Sequence, residues 1–222
     1  MTGIHTPLIV AGDVHGDAQR LQRLFEHFRG SQARVILVGD YINRGPNSRE
    51  VVQLLLEEKG RRGDELVLLR GNHEESLLTF LNGGSLEDFA RHGGLATIRS
   101  YIGGSARDAV SDFRRTFPIE HLGLLQNTSL YYQNSSVLVS HAGFDVNNPY
   151  DKSSKSLTYG DQRIFAHAGP WPRATVVVGH YIQRSLLPLI TENLIAIDTG
   201  CGTIAGSPLT AMLLPERSVF QF

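Results

Sequence analysis

Cysteine is nearly absent from this chain: Cys201 is the single one among 222 residues. A lone thiol forms no intramolecular disulfide and builds no thiolate metal site, which excludes both a disulfide-stapled secreted scaffold and a zinc-finger type of centre. An excess of charge of one sign is missing too. Twenty-one Lys+Arg stand against 22 Asp+Glu, a formal net charge of -1, so no overall field favours nucleic acid or an anionic membrane, and neither is expected as a partner. Long apolar runs are also lacking. No segment approaches the length of a membrane span, and the opening MTGIHTPLIVAGD lacks the charged start and extended apolar stretch of a secretory leader. A soluble, cytoplasmic protein is the expectation. Repeats, low-complexity tracts and charge blocks are absent as well.

What is present is 41% hydrophobic residues over a length that suits one domain, 1–222. PLIVAGD (7–13) is a short apolar run ending in Gly-Asp. DAQRLQRLFEHFRG (17–30) then spaces Leu21, Leu24, Phe25 and Phe28 on one helical face, with Asp17 as N-cap and Gly30 as stop. The unit recurs as RVILVGD followed by NSREVVQLLLEEKG (47–60), where Asn47 or Ser48 caps and Gly60 terminates. A third strand, in ELVLLRGNHE (65–74), opens another helix. Such a βαβαβ start predicts parallel strands with right-handed crossovers. From about 82 to 126 short helical pieces separated by glycine pairs read as a helical insertion. The second half turns to strands: SLYYQ and SVLVSHAG around an Asn134-Ser135 hairpin, then ATVVVGH, LLPLI, LIAID and LTAMLLP. The fold class is α/β, most simply a layered sandwich.

The polar residues that end these strands form a pattern. Asp13 and His15 stand in GDVHG, Asp40 in GDYINRG, Asn72 and His73 in RGNHE, His141 in SHAG and His180 in VVVGH. Each follows an apolar run and has a small neighbour that lets backbone and ligand approach closely. Open α/β sheets place their chemistry at such strand ends. Two carboxylates, three imidazoles and an amide oxygen make a first shell for two divalent ions if one carboxylate bridges them, and Asp40 is the natural bridge. Oxygen and nitrogen donors without thiolate suit Mn²⁺ first, with Fe or Zn²⁺ as alternatives, and leave room for water. Two such ions hold a hydroxide and neutralise phosphate oxygens in an in-line attack, which points to hydrolytic phosphoryl transfer. Arg44 reaches the same phosphate with a planar fork.

GDVHG, GDYINRG, GNHE, SHAG and VVVGH, in this order, resemble the signature of the calcineurin-like metallophosphoesterases, specifically the phosphoprotein phosphatase branch with its bacterial and phage relatives. The motifs run from residue 12 to 180, and IAIDTG before LTAMLLP is similar to the end of the bacterial members. The resemblance implies a four-layer α/β/β/α sandwich. It implies that Asp13, His15 and Asp40 bind one metal, that Asp40, Asn72, His141 and His180 bind the other, and that His73 protonates the leaving oxygen. Arg44 matches a phosphate-binding arginine, and Arg163 in GDQRIF is a second candidate. A serine/threonine phosphatase type of phosphomonoesterase acting on a phosphorylated protein is the first reading. A symmetrical bis(5'-nucleosyl)-tetraphosphatase, acting on a nucleotide, or another small phosphoester as substrate, is the alternative. A metal-binding module without turnover is a third reading, from a different class.

The pattern breaks at one place. Where relatives read GDYVDRG, this chain carries Asn43 in the second aspartate's position. In the family that aspartate orients the GNHE histidine and stabilises its imidazolium form. An asparagine oxygen can still accept the ring N–H, but it lacks the full charge, so His73 is expected to be less basic and weaker help to poor leaving groups. The remaining histidines, His5, His27, His92, His121 and His167, show no ligand pattern and read as structural or surface residues, and Cys201 as a small packed side chain.

Overall fold

A computed structural model describes residues 7–103 and 108–222; His5 and Arg107, the first residue of the third helical piece, lie outside the described residues. The βαβαβ start is present: β1 (Leu8–Ala11), α1 (Ala18–His27), β2 (Arg34–Leu37), α2 (Ser48–Arg62) and β3 (Leu66–Leu68). β1, β2 and β3 pair in parallel, Ile9 opposite Val35 and Ile36 opposite Val67. The C-terminal strands β9 (Thr210–Leu214) and β10 (Ser218–Gln221) add antiparallel to the other side of β1, giving the order β10-β9-β1-β2-β3. The second sheet, in the order β4-β5-β6-β8-β7, is built from β4 (Tyr131–Gln133), β5 (Val137–Ser140), β6 (Thr175–Val178), β7 (Leu189–Ile190) and β8 (Leu194–Ala196). In it β5, β6 and β8 run parallel.

Strand alternation explains the layers. Val10, Ile36 and Met212 pack inward against Val137, Val139, Val177 and Ile195 of the second sheet, a dry seam between the two. Ile9, Val35 and Leu37 face the other way, onto Leu21 and Leu24 of α1 and Val51 and Leu55 of α2. The outer face of the second sheet, Leu138, Val176 and Val178, is covered by Phe144, Ile164 and Trp171. Phe144 and Trp171 come from irregular chain and Ile164 from a 3₁₀ turn (Gln162–Ala166), with a single π-helical turn (Lys155–Tyr159) alongside. The sandwich therefore has its four layers, the last of them thin.

Asp17 caps α1 as expected, accepting the Arg20 N–H at 3.0 Å. α2 runs through Gly60 and stops at Gly63 (φ 57). Glu58 pairs with both Arg61 and Arg62, and Arg62 donates to the Phe28 carbonyl at 2.7 Å, contacts that offset an interior glycine's cost of about 1 kcal/mol. The insertion after α3 (Asn72–Leu81) comprises α4 (Leu86–Arg91), α5 (Gly94–Ile102), α6 (Ala109–Thr116) and α7 (Ile119–Gln126). Its Phe89, Ile98 and Phe113 join the core cluster beneath α1 and α2. The insertion thus widens the first helical layer and carries α5 up to the rim. Among the described residues no helix is long and apolar enough to cross a membrane.

Candidate metal centre

The carboxyl ends of the parallel strands in both sheets meet at one rim. The backbone N–H of His180, past β6, donates to Asp13 Oδ2, past β1, at 3.1 Å, and His141, past β5, contacts the Val38 carbonyl, past β2, at 3.1 Å. Gathering six polar side chains there requires unusual backbone: His15 (φ 44), Asp40 (φ 53), Asn43 (φ 70), Arg44 (φ 65) and His180 (φ 61) all occupy the left-handed region. Left-handed non-glycine residues cost free energy and concentrate where function holds them. Two glycines make the close approach possible, since a Cβ on Gly71 or Gly179 would lie 2.0 Å from Asp40 Oδ1 or 2.1 Å from Asp13 Oδ1.

Asp40 sits in the middle. Its Oδ2 lies 3.6 Å from His15 Nε2, 3.6 Å from His73 Nε2 and 3.4 Å from His141 Nε2. Two triads share it, His15–Asp40–His73 and Asp40–His141–His180, each with ligand atoms within 4.8 Å of one another. Asn72 Oδ1 joins the second, 2.9 Å from His180 Nδ1 and 3.1 Å from His141 Nε2, and Asp13 Oδ2 lies 4.0 Å from His15 Nε2. His15 and His141 each turn Nδ1 to a backbone carbonyl, Ile42 and Val38, at 3.1 Å. In the neutral ring that places the Nε2 lone pair on Asp40's side of the cluster, the arrangement metal-ligating histidines use.

The electrostatics favour cations. Burial, and next the charge of Asp198, push Asp13 well above the usual carboxylate range. Burial acts the same way on Asp40, but His141, His73 and His15 overcome it and hold this carboxyl well below the usual range. Burial lowers His15 and His180 to about 4 and His73 to about 3, whereas His141 rises to about 9 because Asp40's charge and hydrogen bond outweigh its burial. Carboxylates, imidazole nitrogens and an amide oxygen, all buried or nearly so, fit divalent ions, and among the described residues no lysine or arginine pairs with Asp13 or Asp40.

Arg44, exposed at the mouth, spans the cluster: Nη1 lies 3.2 Å from His15 Nε2, and Nη2 lies 3.2 Å from His73 Nε2. Asn43 is fully buried beside His73. Its amide is turned opposite to the sequence-based expectation: Nδ2 faces His73 Nδ1 at 3.0 Å, and Oδ1 accepts the Thr97 hydroxyl from α5 at 2.7 Å. Among the described residues no hydrogen bond brings Arg163 into the cluster; its exposed guanidinium pairs with Asp161, Nε to Oδ2 at 2.8 Å. Cys201 is buried and its thiol is pushed up by burial, so it packs and does not react.

Three residues at the rim escape a reading of the sequence. Glu74, fully buried, accepts the backbone N–H groups of Asp40 (2.7 Å), Tyr41 (2.9 Å) and Gly71 (3.0 Å), tying two ligand loops together. Asp198 follows β8 as the other acids follow their strands; the run LIAID before Thr-Gly was its signal. His92, between α4 and α5, stacks edge-on to His73 with ring centroids 5.6 Å apart, and only the fold shows it.

Similar proteins agree with this architecture. A bis(5'-nucleosyl)-tetraphosphatase of the asymmetrical type from Oceanobacillus iheyensis is 28% identical over 94% of this chain and 88% of its own length. A symmetrical one from Nitrosospira multiformis is 27% identical over 96% and 94%. The catalytic subunit of serine/threonine-protein phosphatase 4 from Saccharomyces cerevisiae is 40% identical, but over 37% of this chain and 27% of its own. A solved structure described as a putative diadenosine tetraphosphatase superposes with a TM-score of 0.66 at 20% identity, covering 100% of this chain and 95% of that one. The model of the calcineurin-like phosphoesterase family matches residues 6–218, and the chain belongs to that family as a metal-dependent phosphoester hydrolase.

Proposed function

We propose that the chain is a phosphomonoesterase in which Asp13, His15 and Asp40 hold one divalent cation and Asp40, Asn72, His141 and His180 hold a second, manganese first among the candidates. The observation that carries this reading is the single carboxylate Asp40, whose Oδ2 lies 3.6 Å from His15 Nε2 and 3.4 Å from His141 Nε2, between the two ligand sets and beneath the Arg44 fork. When bound, such a cation pair supplies an activated water and neutralises phosphoryl oxygens. Arg44 orients the phosphoryl group through its planar fork. His73, buried beside Asp40, delivers a proton to the leaving oxygen from Nε2, and Asn43 fixes its ring from the other side. Arg163 is a second phosphate contact only if it exchanges Asp161 for substrate. The test is hydrolysis of an aryl phosphate by metal-stripped protein with and without added Mn²⁺: turnover that appears with Mn²⁺ and vanishes in Asp40→Asn supports the assignment, and Mn²⁺-independent turnover removes it.

A second reading, cleavage of a dinucleoside tetraphosphate, is favoured by the aromatics at the mouth. Phe165 is exposed and packs edge-on to Tyr181 (centroids 5.1 Å), which in turn meets the His180 ring at 4.9 Å. Aromatic faces of this kind stack on bases with about 1–3 kcal/mol each. Two relatives that match over 94% and 96% of the chain are tetraphosphatases. Assaying a phosphoserine peptide against diadenosine tetraphosphate separates the readings: Phe165→Ala raises KM for the dinucleotide alone if the aromatic wall holds a base.

A further inference from the structure

Asp198 is the acid at this rim to which no role has been given. It stands two residues beyond β8, as His180 stands two residues beyond β6, and these parallel strands pair Val178 with Ala196. Asp198 therefore occupies, one strand over, the same level at which β6 presents a ligand. The backbone there is in tight contact with the β1 end: a Cβ on Gly12 would lie 2.8 Å from the Ile197 carbonyl oxygen and 3.5 Å from Asp198 Cα, and Asp13 is the next residue. Asp198 is 1% exposed. Its Oδ1 accepts the Gly200 N–H at 2.8 Å, while Oδ2 is buried with no hydrogen-bond partner among the described residues. No lysine or arginine pairs with it there either. A buried carboxylate oxygen without a partner is costly, and the cost disappears if a cation and its hydration shell stand beside it. The pressure that Asp198 puts on the neighbouring Asp13 carboxyl has the same remedy.

We propose that Asp198 is an additional residue of the metal centre, its Oδ2 accepting a hydrogen bond from the hydration shell of the cation assigned to Asp13, His15 and Asp40. The proposal rests on the metal-dependent reading given above. Outer carboxylates of this kind tune affinity, and their removal costs about 10–100-fold in metal binding. Asp198→Asn keeps the shape and the Gly200 contact and removes the charge.

Calorimetric titration of the metal-stripped chain with Mn²⁺ tests it, with melting in excess EDTA as the second readout. The wild type is expected to take up two Mn²⁺. Asp198→Asn is expected to weaken one of the two sites by about 10–100-fold and, freed of one buried charge, to melt higher than wild type without metal. Asp198→Ser serves as the second variant should the first not fold. Equal Mn²⁺ affinity in wild type and variant, the result if an internal water alone satisfies Oδ2, overturns the proposal and leaves the metal-dependent reading standing. Failure of the wild type to bind Mn²⁺ overturns that reading, and the proposal with it.

Discussion

Asn43 shows how one atom changes what a neighbour can do. With Oδ1 taken by the Thr97 hydroxyl, the amide presents Nδ2 to His73 Nδ1, so that nitrogen accepts and the neutral ring carries its proton on Nε2, toward the Asp40 carboxylate; the Arg44 fork beside Nε2 only donates and makes no hydrogen bond to it in this tautomer. A second ring proton would confront the amide N–H, and nothing at that position carries a compensating negative charge. Burial, helped by the positive charge of His15, Arg44 and His141, lowers His73 to about 3 against the pull of Asp40, and nothing on the Asn43 side opposes it. Asn43→Asp restores a charged acceptor for Nδ1–H. It is expected to raise kcat on phosphoserine peptide by roughly tenfold, a part of the 10²–10⁴ that positioned proton transfer supplies, and to change an aryl phosphate rate little. Equal change on both substrates would show that leaving-group protonation is not what Asn43 limits. Thr97→Val, which removes the donor that orients the amide, is expected to let Asn43 rotate and to move the His73 ring ¹⁵N shifts toward the Nδ1–H tautomer in NMR spectra. Unmoved shifts would mean that the Thr97 hydroxyl does not set the orientation of the amide.

The strands and their ends account for what was legible beforehand. Short apolar runs closing in Gly-Asp, Gly-Asn-His, Ser-His or Gly-His announce β1, β2, β3, β5 and β6 and at the same time the residues at the rim, because the residue that ends a strand also points out of the sheet. What stayed hidden depends on contacts between distant segments. α2 continues past Gly60 because Arg62 reaches Phe28, 34 positions away in sequence. β10 does not show in the sequence, because SVFQF is an exposed edge segment whose Phe220 finds its place against His27 and Phe28 once the chain is folded. Glu74 reads as one letter of GNHE, and its three backbone N–H partners lie on two loops that meet only in the folded chain. The strand ends also make a prediction about Gly179. An alanine there puts its Cβ 2.1 Å from Asp13 Oδ1 and 2.6 Å from Val38 Cγ2, displacing the β1 carboxylate. Gly179→Ala is expected to lower Mn²⁺-dependent kcat about 100-fold, the usual cost of a misplacement near 1 Å. Gly30→Ala, whose Cβ meets nothing within 4 Å, should leave kcat unaltered. Full activity in Gly179→Ala would mean that the two strand ends are not in register as described.

The two sheets are joined by their dry seam and again at the rim, where Asp13, His15, Asp40 and Asn72 come from the first and His141 and His180 from the second. Under the proposed assignment these residues of both sheets would hold the cations together across the open end of the sandwich, which would couple metal binding to folding. The sign of the pH dependence follows from His141. Its pKa rises from the ordinary 6.5 to about 9 in the metal-free fold, so its contribution to stability is complete below 6.5 and is lost as the pH climbs through 9. A cation needs that imidazole deprotonated, so rising pH strengthens metal binding over the same window, by about 1.4 kcal/mol per pH unit for each proton displaced. Metal-free and Mn²⁺-loaded protein must then part company as the pH goes up: the melting temperature in EDTA declines from pH 6.5 to 8.5, the loaded one holds or rises, and Mn²⁺ binding at pH 7.5 releases protons that appear as a buffer-dependent heat. A melting-temperature gap that stays constant across this range, with no buffer dependence, would place the cations away from His141 and would undo the clamp between the sheets.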